Sequence, residues 1–195
     1  VLYDLNRTVP PASAVLTPAD MRAHLRIDHT DQDTMLAGLI EVATRSCESE
    51  AGIQCINATY EIRLPYWWKQ VLQIPRAPLV SVSSVQYVDD AGSTQTLSAE
   101  NYVVPVGTWY SRLHRADGAT MPVLGQVPQP VTVTFVAGYG TEASDVPQDV
   151  RHWIMLLASH YYSHAEPVTV LGGAPAPVPE TLHRLMAGFT RRGAV

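Results

Sequence analysis

The stretch FVAGYGTEASDVPQDVRHWIMLLASHYYSH, Phe135 to His164, gathers residue types that readily do chemistry: two glycines at the end of a strand-like run and three histidines on the helix after it. Glycines at such a junction can cradle a phosphate on helix N-terminal amides, in the spacing GxGxxG with the helix starting at once. Gly138 and Gly140 lack the third glycine, and Glu142 and Asp145 bring negative charge to the place a phosphate would occupy. The pair therefore reads as a sharp exit from a sheet, with Ser144 or Asp145 capping the next helix and Pro147 starting it. His160 and His164 stand four apart, a spacing at which one helix can grip a metal. No glutamate lies between them, Pro167 follows closely, and no third ligand is in view, so they read as packed or interface histidines.

Nothing else in the sequence supplies a reaction. There is no GxSxG elbow, no P-loop, and no cysteine with a placed histidine partner. Cys47 and Cys55, separated by seven residues, match neither a CxxC metal knuckle nor the dense bridging of small secreted scaffolds, and free thiols of a reducing cytoplasm are expected. Asp89 and Asp90 fall in a turn sequence, where carboxylates serve backbone geometry. No catalytic, cofactor-binding or metal-ligating residue is assigned, and the chain is expected not to be an enzyme. A small metal-dependent hydrolase is the alternative from another class.

The elements that position these residues follow from hydrophobic period. Thr17 caps and Pro18 opens a short helix carrying Met21, Leu25 and Ile27. Asp31 to Ala51 is a longer helix, its stripe formed by Met35, Leu36, Leu39, Ile40, Ala43 and Cys47, with Gly52 at the left-handed cap position. At Ile56 the period drops to two, and Ile56 to Leu64 alternates apolar with polar residues. Further strands are expected at Val71–Ile74, Val80–Val88, Thr94–Leu97, Asn101–Val104 and Val131–Val136, with a less regular one near Trp109–Leu113. Prolines at strand margins imply a small antiparallel sheet. A helix from Pro147 then carries Val150, Trp153, Ile154, Leu157 and Tyr161, followed by the Gly/Pro-rich Leu171–Pro179 and a short helix, Glu180 to Met186.

The expected fold class is therefore α+β: a small helical bundle formed by N- and C-terminal helices, with an inserted antiparallel β-sheet domain. The divisions are residues 1–55 for the N-terminal helices, 56–136 for the inserted β domain, 137–187 for the C-terminal helices, and 188–195 for a basic tail. The aromatic run Tyr66-Trp67-Trp68 interrupts two strands; its rings either close the edge of the sheet's own core or face a neighbouring subunit.

Composition narrows the classes of partner. The chain has 195 residues, 46% of them hydrophobic, enough for a real core. A formal charge of -5 argues against a broad nucleic-acid-binding surface, which is built from clustered Lys and Arg. The basic cluster is the tail, Arg184, Arg191 and Arg192, either a solvated terminus or a docking element. No secretory leader is expected from the first residues, and the apolar runs Met35 to Ala43 and Trp153 to Ala158 are well short of the ~20 residues a bilayer crossing needs.

Taken in order, HLRID at His24–Asp28, PRAPLVSVSSVQYVDDAG at Pro75–Gly92, FVAGYG at Phe135–Gly140 and VPQDVRHWI at Val146–Ile154 resemble the head-tail connector (adaptor) family of tailed bacteriophages, with related elements in prophages and gene transfer agents. The resemblance runs from about Leu16 to His164 and weakens beyond Glu166. It implies a virion protein of the neck, made in the host bacterial cytoplasm: a homo-oligomeric ring that docks below the portal protein, meets a stopper or tail-completion protein, and passes DNA without sequence recognition or any membrane. A stopper or tail-completion role is the alternative within the neck. On this reading Leu171–Pro179 serves as a hinge that lets Glu180–Val195 reach the portal, with Arg184, Arg191 and Arg192 as the portal-binding residues and Tyr66, Trp67 and Trp68 as interface candidates.

Overall fold

A computed structural model describes residues 3–105, 111–164 and 186–188. In chain order the elements are β1 (Asp4–Val9), α1 (Pro18–Leu25), α2 (Asp33–Ala51), β2 (Ala58–Leu64), β3 (Val71–Gln73), β4 (Leu79–Val88), β5 (Thr94–Thr96), β6 (Tyr102–Val103), β7 (Arg112–Arg115), β8 (Val131–Ala137) and α3 (Gln148–Ser163). Three helices pack together and antiparallel sheets are inserted between them, the α+β class expected from the sequence.

The helices begin and end where local chemistry dictates. Thr17 accepts the Asp20 N–H, while the Asp20 carboxylate accepts the Thr17 N–H at 2.8 Å, so two amides that helical bonding leaves free are satisfied reciprocally. Those bonds hold the Asp20 carboxyl below its usual range, chiefly through the Thr17 amide. Helix α2 stops at Gly52, at φ 66°. Its buried face is Leu36, Ile40, Ala43, Cys47 and Ala51; Met35, expected on that face, is 44% exposed because it lies on the far flank of the helix.

The strand over Asp4–Val9 has no counterpart in the sequence reading. It pairs antiparallel with β2, Arg7 opposite Tyr60, and forms one edge of a five-stranded sheet ordered β1-β2-β8-β4-β5. The expected single sheet is in fact two: β3, β7 and β6 make a separate three-stranded sheet. The central β8 pairs along its whole length with β2 and β4 and buries every second side chain, Val131, Val133, Phe135 and Ala137. The β4–β5 hairpin turns at Gly92, φ 80°, and Asp89 secures the turn by accepting from Ser93 N and Gln95 Nε2.

Two hydrophobic cores result. In the helical core α1, α2 and α3 bury Met21, Leu36, Ile40, Trp153, Ile154 and Leu157, joined by Met186 from near the chain's end. The β core lies on the inner face of the large sheet and takes in Ile62, Leu64, Leu72, Leu113 and Phe135. Two crossings of the border, the α2–β2 link and the exit from β8, bond there to each other and to the β3–β4 connection: Gln54 N to Ala77 O at 2.8 Å, Asn57 N to Gly140 O at 2.8 Å, and Gly138 N to Pro78 O at 3.0 Å.

Candidate functional site

The glycines belong to that border. Gly138 has φ 146°, and a Cβ there would lie 2.5 Å from Asn57 Oδ1; one at Gly140 would lie 2.1 Å from Asp145 Oδ2. Both positions are therefore close approaches between segments, which glycine alone permits. The capping expectation needs correction. Asp145 accepts the Glu142 N–H at 3.0 Å within a short 3-10 turn at Ala143–Asp145, and α3 begins only at Gln148 with no side-chain cap. The extra turn separates the strand exit from the helix, so no helix N-terminus faces the glycines.

The histidines lie at the far end of α3. Their rings sit 4.4 Å apart, His160 half-buried and His164 exposed, with His164 Nδ1 2.9 Å from His160 O. Desolvation, and then the neighbouring His164, push the His160 pKa down. They stack on each other at the surface rather than pack into the core. Among the described residues no three His, Cys, Asp or Glu side chains gather as a metal site. Cys47 and Cys55 are buried free thiols, and contact with Cys47 together with burial drives the Cys55 thiol far above its usual range.

The aromatic run divides. Trp68 is 4% exposed and packs edge-on against Trp67 at 5.8 Å; Trp67 leans on Tyr87 at 5.4 Å and donates to Pro122 O at 2.9 Å. Both indoles close the β core, while Tyr66 stands 57% exposed. Arg184, Arg191 and Arg192 lie outside the described residues.

One constellation escaped the sequence reading. At the border of the two cores Tyr60 Oη donates to Gln54 Oε1, and Gln54 Nε2 donates to Glu48 Oε1 at 2.6 Å and to Ile56 O at 2.9 Å. The Cys55 N–H adds a bond to the same Glu48 oxygen at 3.1 Å. Glu48 is 6% and Gln54 0% exposed, so this is a buried relay from sheet to helix. Burial pushes the Glu48 carboxyl above its ordinary value, opposed by the Cys55 amide and by Arg7, Arg76 and Arg45. These arginines surround a cleft of about 400 Å³ with Glu48 and Tyr60 at its base. Arg76 Nη1 donates to Glu48 O at 2.9 Å, and its guanidinium lies 6.0 Å from the Tyr60 ring centre. Positions 7, 45 and 76 share no motif; only the pairing of β1 with β2 and the return of the chain at Arg76 bring them to α2.

Against known proteins, no family model matches the sequence and no curated protein does. Solved structures do match in fold. A chain in the neck of an empty gene transfer agent (GTA) particle, computed with C6 symmetry, is 25% identical, with a TM-score of 0.79 over 98% of this chain and 97% of that one. A chain of the native GTA virion gives 24% identity and 0.79 over the same shares. In the native neck computed with C12 symmetry the values are 23% and 0.77, again over 98% and 97%. The fold is that of a phage-like neck chain. The likeness takes in helices, both sheets and the joint, since nearly the whole of each chain is covered.

Proposed function

We propose that this chain is a non-enzymatic structural protein of the neck of a tailed phage or phage-like particle. More finely, it is the adaptor that forms a ring below the portal and extends the DNA channel toward the tail. The observation that carries the reading is the near-full-length match to neck chains, one of them in a particle neck computed with C12 symmetry. A closed ring requires each copy to present two different complementary faces. The β edges and Tyr66 at one side, and the helical bundle at the other, are suited to that. The charge of -5 suits a conduit that lets DNA slide, because like charge lowers non-specific affinity.

We keep for this building block the division expected from the sequence, 1–55 and 137–187 for the bundle and 56–136 for the insertion, with the edge strand Asp4–Val9 lent by the first part to the sheet. The tail 188–195, with Arg191 and Arg192, and the nearby Arg184, engages acidic groups of the portal.

Electron microscopy of the purified chain mixed with portal tests the reading. Rings seated on the portal are expected. Binding only to a portal already carrying another ring would instead make the chain a stopper, and a compact monomer with stoichiometric metal would favour the hydrolase. Deleting residues 188–195 is expected to abolish portal binding while leaving the fold intact.

A further inference from the structure

Beside the cleft under the arginines lies a groove of about 450 Å³ between α2 and the segment that follows β1, and the two hollows meet at Arg7, Arg45 and Glu48, which line both. One wall is a single stripe of α2: Ala37, Ile40 and Glu41, Thr44 and Arg45, then Glu48, at the three- and four-residue spacing of one helix face. The other wall is Pro10, Pro11 and Ala14, with Val15 and Leu16 forming an apolar floor, and Ser13 Oγ bonded to Thr141 O at 2.9 Å holds it in place. The groove is thus apolar at its Ala37 end and cationic at its Arg7 end.

The cationic end has donors to spare. Arg45 is engaged by Glu41 at 2.5 Å. The Arg7 side chain makes no hydrogen bond or ion pair among the described residues, and Arg76 Nε is a buried donor with no partner. The Glu48 carboxylate in the same lining attracts all three arginines, so the end carries three cations against this one buried anion, whose Oε1 is also bonded to Gln54 and Cys55. A buried unsatisfied donor is costly, and beside an open cleft it marks where an incoming acceptor would be rewarded.

We infer that this groove receives an extended, apolar segment of another neck polypeptide that ends in a carboxylate, the carboxylate seated between Arg7 and Arg76. From Ala37 to Glu48 the α2 wall is about 16 Å long at the helical rise per residue, room for about five residues of extended chain. A helix is too wide for a trough bounded by one helix face and one loop, so the occupant is extended. A phosphodiester backbone fits the arginines but not the floor of Val15, Leu16 and Ile40, which favours a peptide. That the occupant is a neck polypeptide rests on the function proposed above, while binding of an acidic peptide is read on the isolated chain and does not depend on ring formation.

The test uses the full chain and a fluorescein-labelled pentapeptide, Pro-Val-Ala-Val-Glu with a free C-terminus, read by fluorescence anisotropy. Its uncharged twin, Pro-Val-Ala-Val-Gln amide, and a short single-stranded oligonucleotide are run beside it. Saturable binding of the acidic peptide alone is expected, weakened at least about tenfold by Arg7→Glu, since a charge-assisted pair becomes a repulsion. Ala37→Trp, which fills the apolar end at an exposed position, is expected to abolish binding. Thermal melts show whether both variants remain folded, and peptide binding that survives either folded variant would overturn the proposal. So would equal binding of the twin or the oligonucleotide, or no binding at millimolar peptide. Concentration-dependent self-association of the unmodified chain that Arg7→Glu breaks would identify a second copy as the occupant and overturn it as well.

Discussion

The helical core and the β core are built in different ways. The first is assembled from segments far apart in sequence, with α1 and α2 before the β excursion and α3 after it, and Trp153 at 2% exposure among them. The second is a set of paired strands: β4 and β5 are joined by a short turn, β8 reaches β2 and β4 from far along the chain, and the adjacent Trp67 and Trp68 close over them. It follows that α1 and α2 can meet locally, whereas α3 can join them only once the sheet has brought the ends of the excursion together. The β part needs the helices only at its border.

That difference can be broken most forcefully at Trp153. Trp153→Ala should cost about 3–5 kcal/mol, the usual range for emptying a large buried aromatic site. Denaturation followed by both circular dichroism and indole fluorescence should show helices and sheet lost in one transition; a β core that melts at its original midpoint would mean the two parts are independent. Next comes the border itself. Gly138→Ala places a methyl 2.6 Å from the Asn57 backbone at a positive φ, so a loss of roughly 1–3 kcal/mol is expected, from strain at a position where glycine is required. A near-neutral result would show that the joint yields.

Thr17→Ala removes the hydroxyl half of the capping pair, leaving the bond from the backbone amide at position 17 to Asp20, and should cost about 1 kcal/mol. The Asp20 carboxyl should then titrate nearer its ordinary value, measurable by NMR. Glu48→Gln is expected to act in the opposite direction. The Glu48 carboxyl is raised in the folded state, so the fold binds its proton more tightly than the unfolded chain. Stability from this group is complete below its ordinary value of 4.5 and is lost as pH rises through the folded value. The substituted amide keeps the acceptor without the charge, so the variant should gain over the parent as pH rises and lose that advantage toward acid. A pH series of thermal melts checks the sign. The smallest effect is at Tyr66: Tyr66→Ala should change monomer stability by less than about 0.5 kcal/mol, in contrast to either tryptophan beside it.

The helical half was largely legible in the sequence because its signals are local. Thr17-Pro18 and Gly52 are punctuation read without tertiary knowledge, and the stripe from Val150 to Tyr161 has one period throughout. Strand β1 was not legible, since five of its six residues are exposed and its pairing is dictated by β2 rather than by its own pattern. Alternation located β3 and β6, and the less regular strand expected near Trp109–Leu113, whose first residues lie outside the described ones, overlaps β7 only at its start. None of this could say that the three leave the main sheet, because sheet membership is set by hydrogen-bond partners distant in sequence. The arginine cleft was invisible for the same reason, residues 7, 45 and 76 being joined only by topology.

At the border the α2–β2 link, the β3–β4 connection and the exit from β8 are each bonded to the other two, through Gln54, Asn57, Ala77, Pro78 and Gly138. A hinge needs a single thread, whereas here three are laced together by backbone bonds. A push on the tip of the β4–β5 hairpin would therefore meet a laced joint before it reaches the helices, with no lone thread at the border on which the sheet could swing.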